Sequence, residues 1–259
     1  GDHRDLHRRR HSFPYTTLFR SDDQSISAAS VLVKWDVTAY QITTTLSSPT
    51  VWSSITYGTK TVYLSLDIKS VTDTVVSFVN GSKLLVGDNT TTTGADDLAN
   101  TLAGTSGADQ IIGLGGDDSL TGGAGDDVFT TGYRSLAFGS DTVSGGDGND
   151  WLIYNDNSTI PAAVNMATHS AISTSGGTQQ GSVTFTSIEK VSGTAAADTL
   201  TGGDSAHGLD TLGNRTSEVF RGMGGNDVIT GGAGNNYFAI SDYGKATNGV
   251  VANLQSGLA

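Results

Sequence analysis

The stretch GLGGDDSLTGGAGDDVF, residues 113–129, repeats glycine and aspartate on a nine-residue beat, and Leu120 and Phe129 each stand two places after an aspartate. Glycine loses more conformational freedom on ordering than any other residue, and closely spaced carboxylates repel one another. A chain that repeats both needs something to offset the two costs.

Written as G-G-x-G-x-D-x-U-x, with U a large apolar residue, the beat extends outward from this stretch. GTSGADQII (104–112), GLGGDDSLT (113–121) and GGAGDDVFT (122–130) are consecutive copies in one register. The sixth position holds Asp109, Asp118 and Asp127, the eighth Ile111, Leu120 and Phe129, and the fourth Gly107, Gly116 and Gly125. One step earlier the pattern fades into ADDLANTLA, with Asn100 in the aspartate slot and Leu102 in the apolar one. It returns in FGSDTVSGGDGNDWLI with Asp141 and Val143, then Asp150 and Leu152. Asp127 and Asp141 are 14 residues apart rather than nine, so five residues near TGYRS lengthen one loop. A third block begins at GTAAADTLTGG with Asp198 and Leu200. After an insertion around DSAHGLDTLGNRTSEVF it gives Asp227 with Ile229, and Asn236 with Phe238. Self-similarity at a fixed period signals a stacked-repeat architecture.

The chemistry of the beat follows from its first six positions. Glycines there let backbone carbonyls crowd where a Cβ would clash, and a short aspartate side chain reaches the same spot. Flexible coordination by carboxylate and carbonyl oxygen alone is what calcium takes, with six to eight ligands at about 2.3–2.6 Å. The last three positions make a short strand in which only the eighth residue faces inward. A disordered glycine-rich linker would explain the glycines but not the phase-locked Ile111, Leu120 and Phe129.

The nonapeptide resembles the RTX, or haemolysin-type, calcium-binding repeat, over residues 94–240. The resemblance implies an all-β fold, a parallel β-roll (a β-solenoid) with consecutive nonapeptides on opposite sides and two making one coil. It implies Ca2+ between loops 18 residues apart, held by sixth-position aspartates and by carbonyls of the first and third positions. Those are Gly104, Ser106 and Asp109; Gly113, Gly115 and Asp118; Gly122, Ala124 and Asp127; Asp141; Gly145, Asp147 and Asp150; Asp198; and Gly222, Gly224 and Asp227. The loop 104–109 should pair with 122–127, and 122–127 with 145–150. The loop 113–118 should pair with the loop ending at Asn100 or with that ending at Asp141, and 193–198 with 222–227. One inward apolar residue per nonapeptide makes a thin core, so the fold is expected to depend on the metal.

The remaining sequence bounds the reading. The formal charge is −12, and of 26 acidic residues only Glu189 and Glu218 are glutamate. A surface this acidic argues against nucleic acid and anionic membranes and for cations. There are no cysteines to brace a small core, and no apolar run approaches the ~20 residues of a membrane span. Residues 1–21, with five of the eight arginines, resemble a translated sequencing adapter and are read as an artefact. Without them 24 acids stand against nine bases, a net charge of −15. Residues 22–93 alternate as strands and read as a smaller β-rich segment of unassigned role, with a hairpin turning at Asn80-Gly81. Residues 94–153 form the first roll block, 154–192 a connecting β segment, 193–240 the second block, and 241–259 the start of a further segment. Truncation is expected at both ends.

Catalytic signatures are missing. His169 and His207 are isolated, and neither H-E-x-x-H nor G-x-S-x-G occurs. Asp117 and Asp126, in the fifth position, read as solvated surface acids, and Trp151 and Tyr237, in the seventh, as outward-facing. The residues are therefore expected to be non-enzymatic. They read as a calcium-binding repeat region of a secreted or cell-surface protein, structural and adhesin-like, that folds on calcium after export. A host surface, a matrix or a polysaccharide is its candidate partner, and family resemblance implies type I export from a Gram-negative bacterium. The alternative is the calcium-dependent export and folding module of a secreted protease, lipase or polysaccharide epimerase whose catalytic domain lies elsewhere.

Overall fold

The computed structural model describes residues 26–35, 53–57, 60–64, 76–87, 98–132, 139–154, 159–203, 217–232, 236–238 and 251–253. The adapter-like segment, the lengthened loop at 133–138, His207 with most of the insertion around it, and the side chain of Tyr237 lie outside the described residues. Within them the regular structure is strand, apart from a 3-10 turn at Ala28–Ser30.

Three strands, β1 (Leu32–Trp35), β2 (Ser53–Tyr57) and β3 (Lys60–Leu64), form an antiparallel sheet with Ile55 opposite both Val33 and Val62. The next seven are β4 (Leu84–Val86), β5 (Thr101–Ala103), β6 (Gln110–Leu114), β7 (Ser119–Ala124), β8 (Val128–Thr131), β9 (Ser140–Asp147) and β10 (Trp151–Tyr154). They fall alternately into two sheets, and each described pairing among them is parallel. This alternation is the β-roll. After an antiparallel excursion through β11 (Ala162–Asn165), β12 (Ser170–Ser175) and β13 (Thr178–Thr186) it resumes. The later strands are β14 (Lys190–Ser192), β15 (Thr199–Thr201), β16 (Glu218–Arg221), β17 (Val228–Thr230), β18 (Asn236–Phe238) and β19 (Val251–Asn253). One sheet runs β4-β6-β8-β10-β14-β16-β18 and the other β5-β7-β9-β13-β12-β11-β15-β17-β19.

The eighth-position residues stack in register to make the core. Ile111, Phe129, Leu152, Val191 and Phe220 oppose one another along the first sheet, Leu120 opposes Val143 along the second, and Leu200 opposes Ile229. All nine are 1 % exposed or less. The second sheet carries nine strands against seven, and the large side chains Tyr154, Phe185, Met166 and Ile188 are fully buried in the core in and beside the excursion. The Tyr154 hydroxyl donates to the Gly181 carbonyl at 3.2 Å, which satisfies the one polar atom that this ring brings inside.

The hairpin expected around Asn80-Gly81 is corrected. The turn forms, with Gly81 at φ +83° and its N–H on the Phe78 carbonyl at 3.1 Å. Its second arm, β4, however pairs in parallel with β6. The cause is burial on both faces, the usual state of a parallel strand. Leu85 packs on the roll core, while Leu84 and Val86 join Ile26, Ala28, Val31, Ile55, Val76, Phe78, Ile112 and Leu114 in a second core. The described part of 22–93 thus supplies a strand of the roll and covers its outer face at β4 and β6.

Candidate metal sites

Each sixth-position aspartate sits where a strand begins, its side chain turned inward by the six-residue turn before it. Asp109, Asp118, Asp127, Asp141, Asp150, Asp198 and Asp227 are all 3 % exposed or less. Their Oδ1 atoms form a rung between coils. Asp127 Oδ1 accepts the Asp109 N–H at 2.7 Å, Asp150 Oδ1 that of Asp127 at 2.8 Å, and Asp141 Oδ1 that of Asp118 at 3.0 Å. Asp118 Oδ1 accepts the Asn100 N–H at 2.8 Å and Asp227 Oδ1 that of Asp198 at 2.9 Å. These bonds bring together 104–109 with 122–127, 122–127 with 145–150, and 193–198 with 222–227. The aspartate ending 113–118 is bonded both to Asn100 and to Asp141.

The second oxygens are different. Oδ2 of Asp118, Asp127, Asp141, Asp150 and Asp227 is buried and accepts no hydrogen bond, a costly state for a charged atom. Around them the first-position glycines are indispensable. A Cβ on Gly122 would collide with Asp127 Oδ2 and the Gly145 carbonyl, and one on Gly145 with Asp150 Oδ2 and the Ser187 carbonyl. On Gly113 it would meet Asp118 Oδ2 at 2.6 Å. Each cradle therefore gathers oxygen from its own aspartate and, at Gly122 and Gly145, from the next coil. Among the described residues no three His, Cys, Asp or Glu side chains could share an ion, so a site would draw on at most two carboxylates, with backbone carbonyls supplying the rest. That set fits calcium.

Burial of these acids without a neutralising charge shows in their proton affinity. Loss of solvent raises Asp118 from 3.8 to about 6, Asp127 to about 7, and Asp141 and Asp150 to about 8, with neighbouring acids adding to the rise. Asp198 rises to about 7, and Asp227 also moves upward, chiefly by burial. Backbone N–H donors pull the other way without cancelling it.

Two of the sixth-position acids have their second oxygen satisfied by the protein. Asp109 Oδ2 accepts the Thr105 N–H at 2.5 Å, and the Thr105 hydroxyl lies 3.0 Å away. Asp198 Oδ2 accepts the Thr194 N–H at 2.6 Å, and its Oδ1 the Thr194 hydroxyl at 2.8 Å. Of the third-position residues, Gly115 is buried, Ala124 and Gly224 half-buried, and Ser106 and Asp147 exposed. The Asp147 carbonyl accepts the Gly125 N–H at 2.8 Å. Gly222 is buried at the start of its turn, as Gly122 and Gly145 are. Asp117 and Asp126 are exposed, and their Oδ1 atoms accept the N–H groups of Ser140 and Asn149 at 2.8 and 3.0 Å. Trp151 is half-buried, with its indole N–H on Ser192 Oγ at 2.9 Å and the Arg221 guanidinium 4.4 Å from its ring centre.

Sequence reasoning missed the two glutamates. Glu189 and Glu218 are 4 % and 0 % exposed. Glu189 Oε2 accepts the Asp150 N–H and Glu218 Oε1 the Gly203 N–H, both at 2.8 Å. Each precedes an inward apolar residue by two positions, Val191 and Phe220, which is the D-x-U signature with a longer acid.

The model of the RTX calcium-binding nonapeptide repeat matches the chain in four copies, at residues 93–130, 138–157, 185–206 and 212–239. No curated protein matches the chain.

Proposed function

Residues 93–239 carry the RTX calcium-binding repeat, and from that premise we propose that they are the calcium-folded structural region of a secreted or cell-surface protein. Calcium at extracellular levels, about 10⁻⁴–10⁻³ M, would lock the coils after export, and no catalytic role falls to these residues. The observation that carries the reading is the row of five buried, unpartnered Oδ2 atoms. A neutralising cation makes that row affordable. A stiff, calcium-set rod suits an adhesin-like spacer, whose partner would be a surface, a matrix or a polysaccharide. Among the described residues no helix is long and apolar enough to cross a membrane.

Calcium titration of the chelated chain, followed by far-ultraviolet circular dichroism with ions counted by mass spectrometry, tests this. Strand signal should rise cooperatively in the millimolar range. Asp127→Asn should remove one ion and move the midpoint to higher calcium. A spectrum indifferent to chelator would refute the reading.

A further inference from the structure

Six turns are described from first position to sixth, and they are of two kinds. In four of them the second and fourth residues are both left-handed: Leu114 (φ +73°) and Gly116 (+98°), Gly123 (+119°) and Gly125 (+103°), Gly146 (+113°) and Gly148 (+153°), and Met223 (+71°) and Gly225 (+99°). The aspartates that end these four turns are Asp118, Asp127, Asp150 and Asp227, and all four have a buried Oδ2 that accepts no hydrogen bond.

The other two turns, 104–109 and 193–198, contain no residue of positive φ, and both have threonine second. A β-branched residue is poorly suited to the left-handed region, and here the threonine organises the turn differently. Its backbone N–H donates to the aspartate Oδ2, and its hydroxyl lies against the same carboxylate. That hydroxyl also accepts the fourth-position N–H, from Gly107 at 3.0 Å and from Ala196 at 3.1 Å. The fourth residue is then released from the left-handed region, which is why alanine can stand at 196. With Lys83 and Ala162 N–H groups on Oδ1 at 2.5 and 2.7 Å, both oxygens of Asp109 and of Asp198 are satisfied.

The location matters as much as the chemistry. Lys83 belongs to the segment before the repeats, and Ala162 to the antiparallel excursion. Each threonine turn therefore lies at a seam where a run of coils abuts chain of another kind.

We infer that the turns 104–109 and 193–198 close on themselves through Thr105 and Thr194 and take no calcium on Asp109 or Asp198, giving each block a metal-free seat on which its ion-dependent coils stack. This rests on the calcium reading above and divides its sites into two sets.

The test uses the full chain. In crystals grown with saturating calcium, anomalous scattering should place ions on Oδ2 of Asp118, Asp127, Asp150 and Asp227 and none on Asp109 or Asp198. An ion on either of the latter overturns the inference, while ions on none of the six would overturn the calcium reading itself. Thr105→Val and Thr194→Val, made separately, should leave the bound-ion count undiminished in mass spectrometry. They should make the amide of Gly107 or Ala196 exchange at least tenfold faster, and Thr→Ser at the same position should restore the slow rate. Loss of an ion from a valine variant also overturns the inference. If valine prevents folding, the calcium positions in the unaltered chain decide.

Discussion

Strands β11–β13 lie in one of the two sheets that the glycine-aspartate coils build, yet excursion and coils are held together differently. The excursion is ordinary protein: Ala162, Val164, Ala171, Val183 and Phe185 are 2 % exposed or less, and two of its strand pairs are antiparallel. The coils present few inward apolar residues per strand and a buried carboxylate at most of the described turns. The comparison teaches that the same hydrogen-bonded sheet can be closed by apolar mass or by charge that awaits a counter-ion. What changes between the two regions is the source of the closing energy and therefore the condition that controls it.

The largest expected effect breaks the apolar side of the comparison. Phe185→Ala removes a fully buried ring from the excursion, a loss of about 3–5 kcal/mol for this kind of truncation. The calcium-saturated chain should melt far lower in calorimetry while still binding its full number of ions. A reduced ion count would mean that the excursion and the coils are not separable in this way.

How much of this was legible in the sequence follows the same division. Coils declare themselves because period and chemistry coincide: Ile111, Phe129 and Leu152 mark the core, and Asp109, Asp127 and Asp150 mark one row of turns. The excursion gave only alternation, which states that strands exist but not which neighbour each will take. The fate of β4 was hidden for the same reason, since pairing with β6 depends on a second core assembled from distant residues such as Ile26 and Phe78. Glu189 and Glu218 fall outside a repeat defined by aspartate, although each has the inward apolar residue two places on. The roles of Thr105 and Thr194 depend on their hydroxyls lying against the carboxylates, which a repeat period does not encode.

A smaller effect separates the regions by pH. The buried coil acids bind protons far more tightly when folded without calcium, at about 6 to 8, than the ordinary value of 3.8. The calcium-free fold therefore holds more protons than the unfolded chain between about pH 4 and 8, and raising pH through that window destabilises it. In calcium-free buffer, lowering pH from 8 to 5 should restore part of the strand signal, with protons standing in for the cation. Among the described residues the strands of the excursion contain no acid that could answer to pH in this way. A signal that stays flat or falls on acidification would contradict the carboxylate account.

The smallest effect lies within the coils. Met223 is left-handed at φ +71°, a conformation that costs an L-residue roughly 1–2 kcal/mol, at the second position of an open turn. Gly123 and Gly146 occupy the equivalent place. Met223→Gly removes that strain but gives up a half-buried side chain and loosens the unfolded chain, so the net gain should be about 0.5 kcal/mol, read as a slightly lower calcium midpoint. Thr194→Gly, at the same position of a threonine turn, should instead weaken the fold, because it deletes the hydroxyl that Asp198 and Ala196 use. Opposite signs from one substitution at one repeat position would establish that the two turns are different devices, and equal signs would mean that the φ difference has no energetic weight.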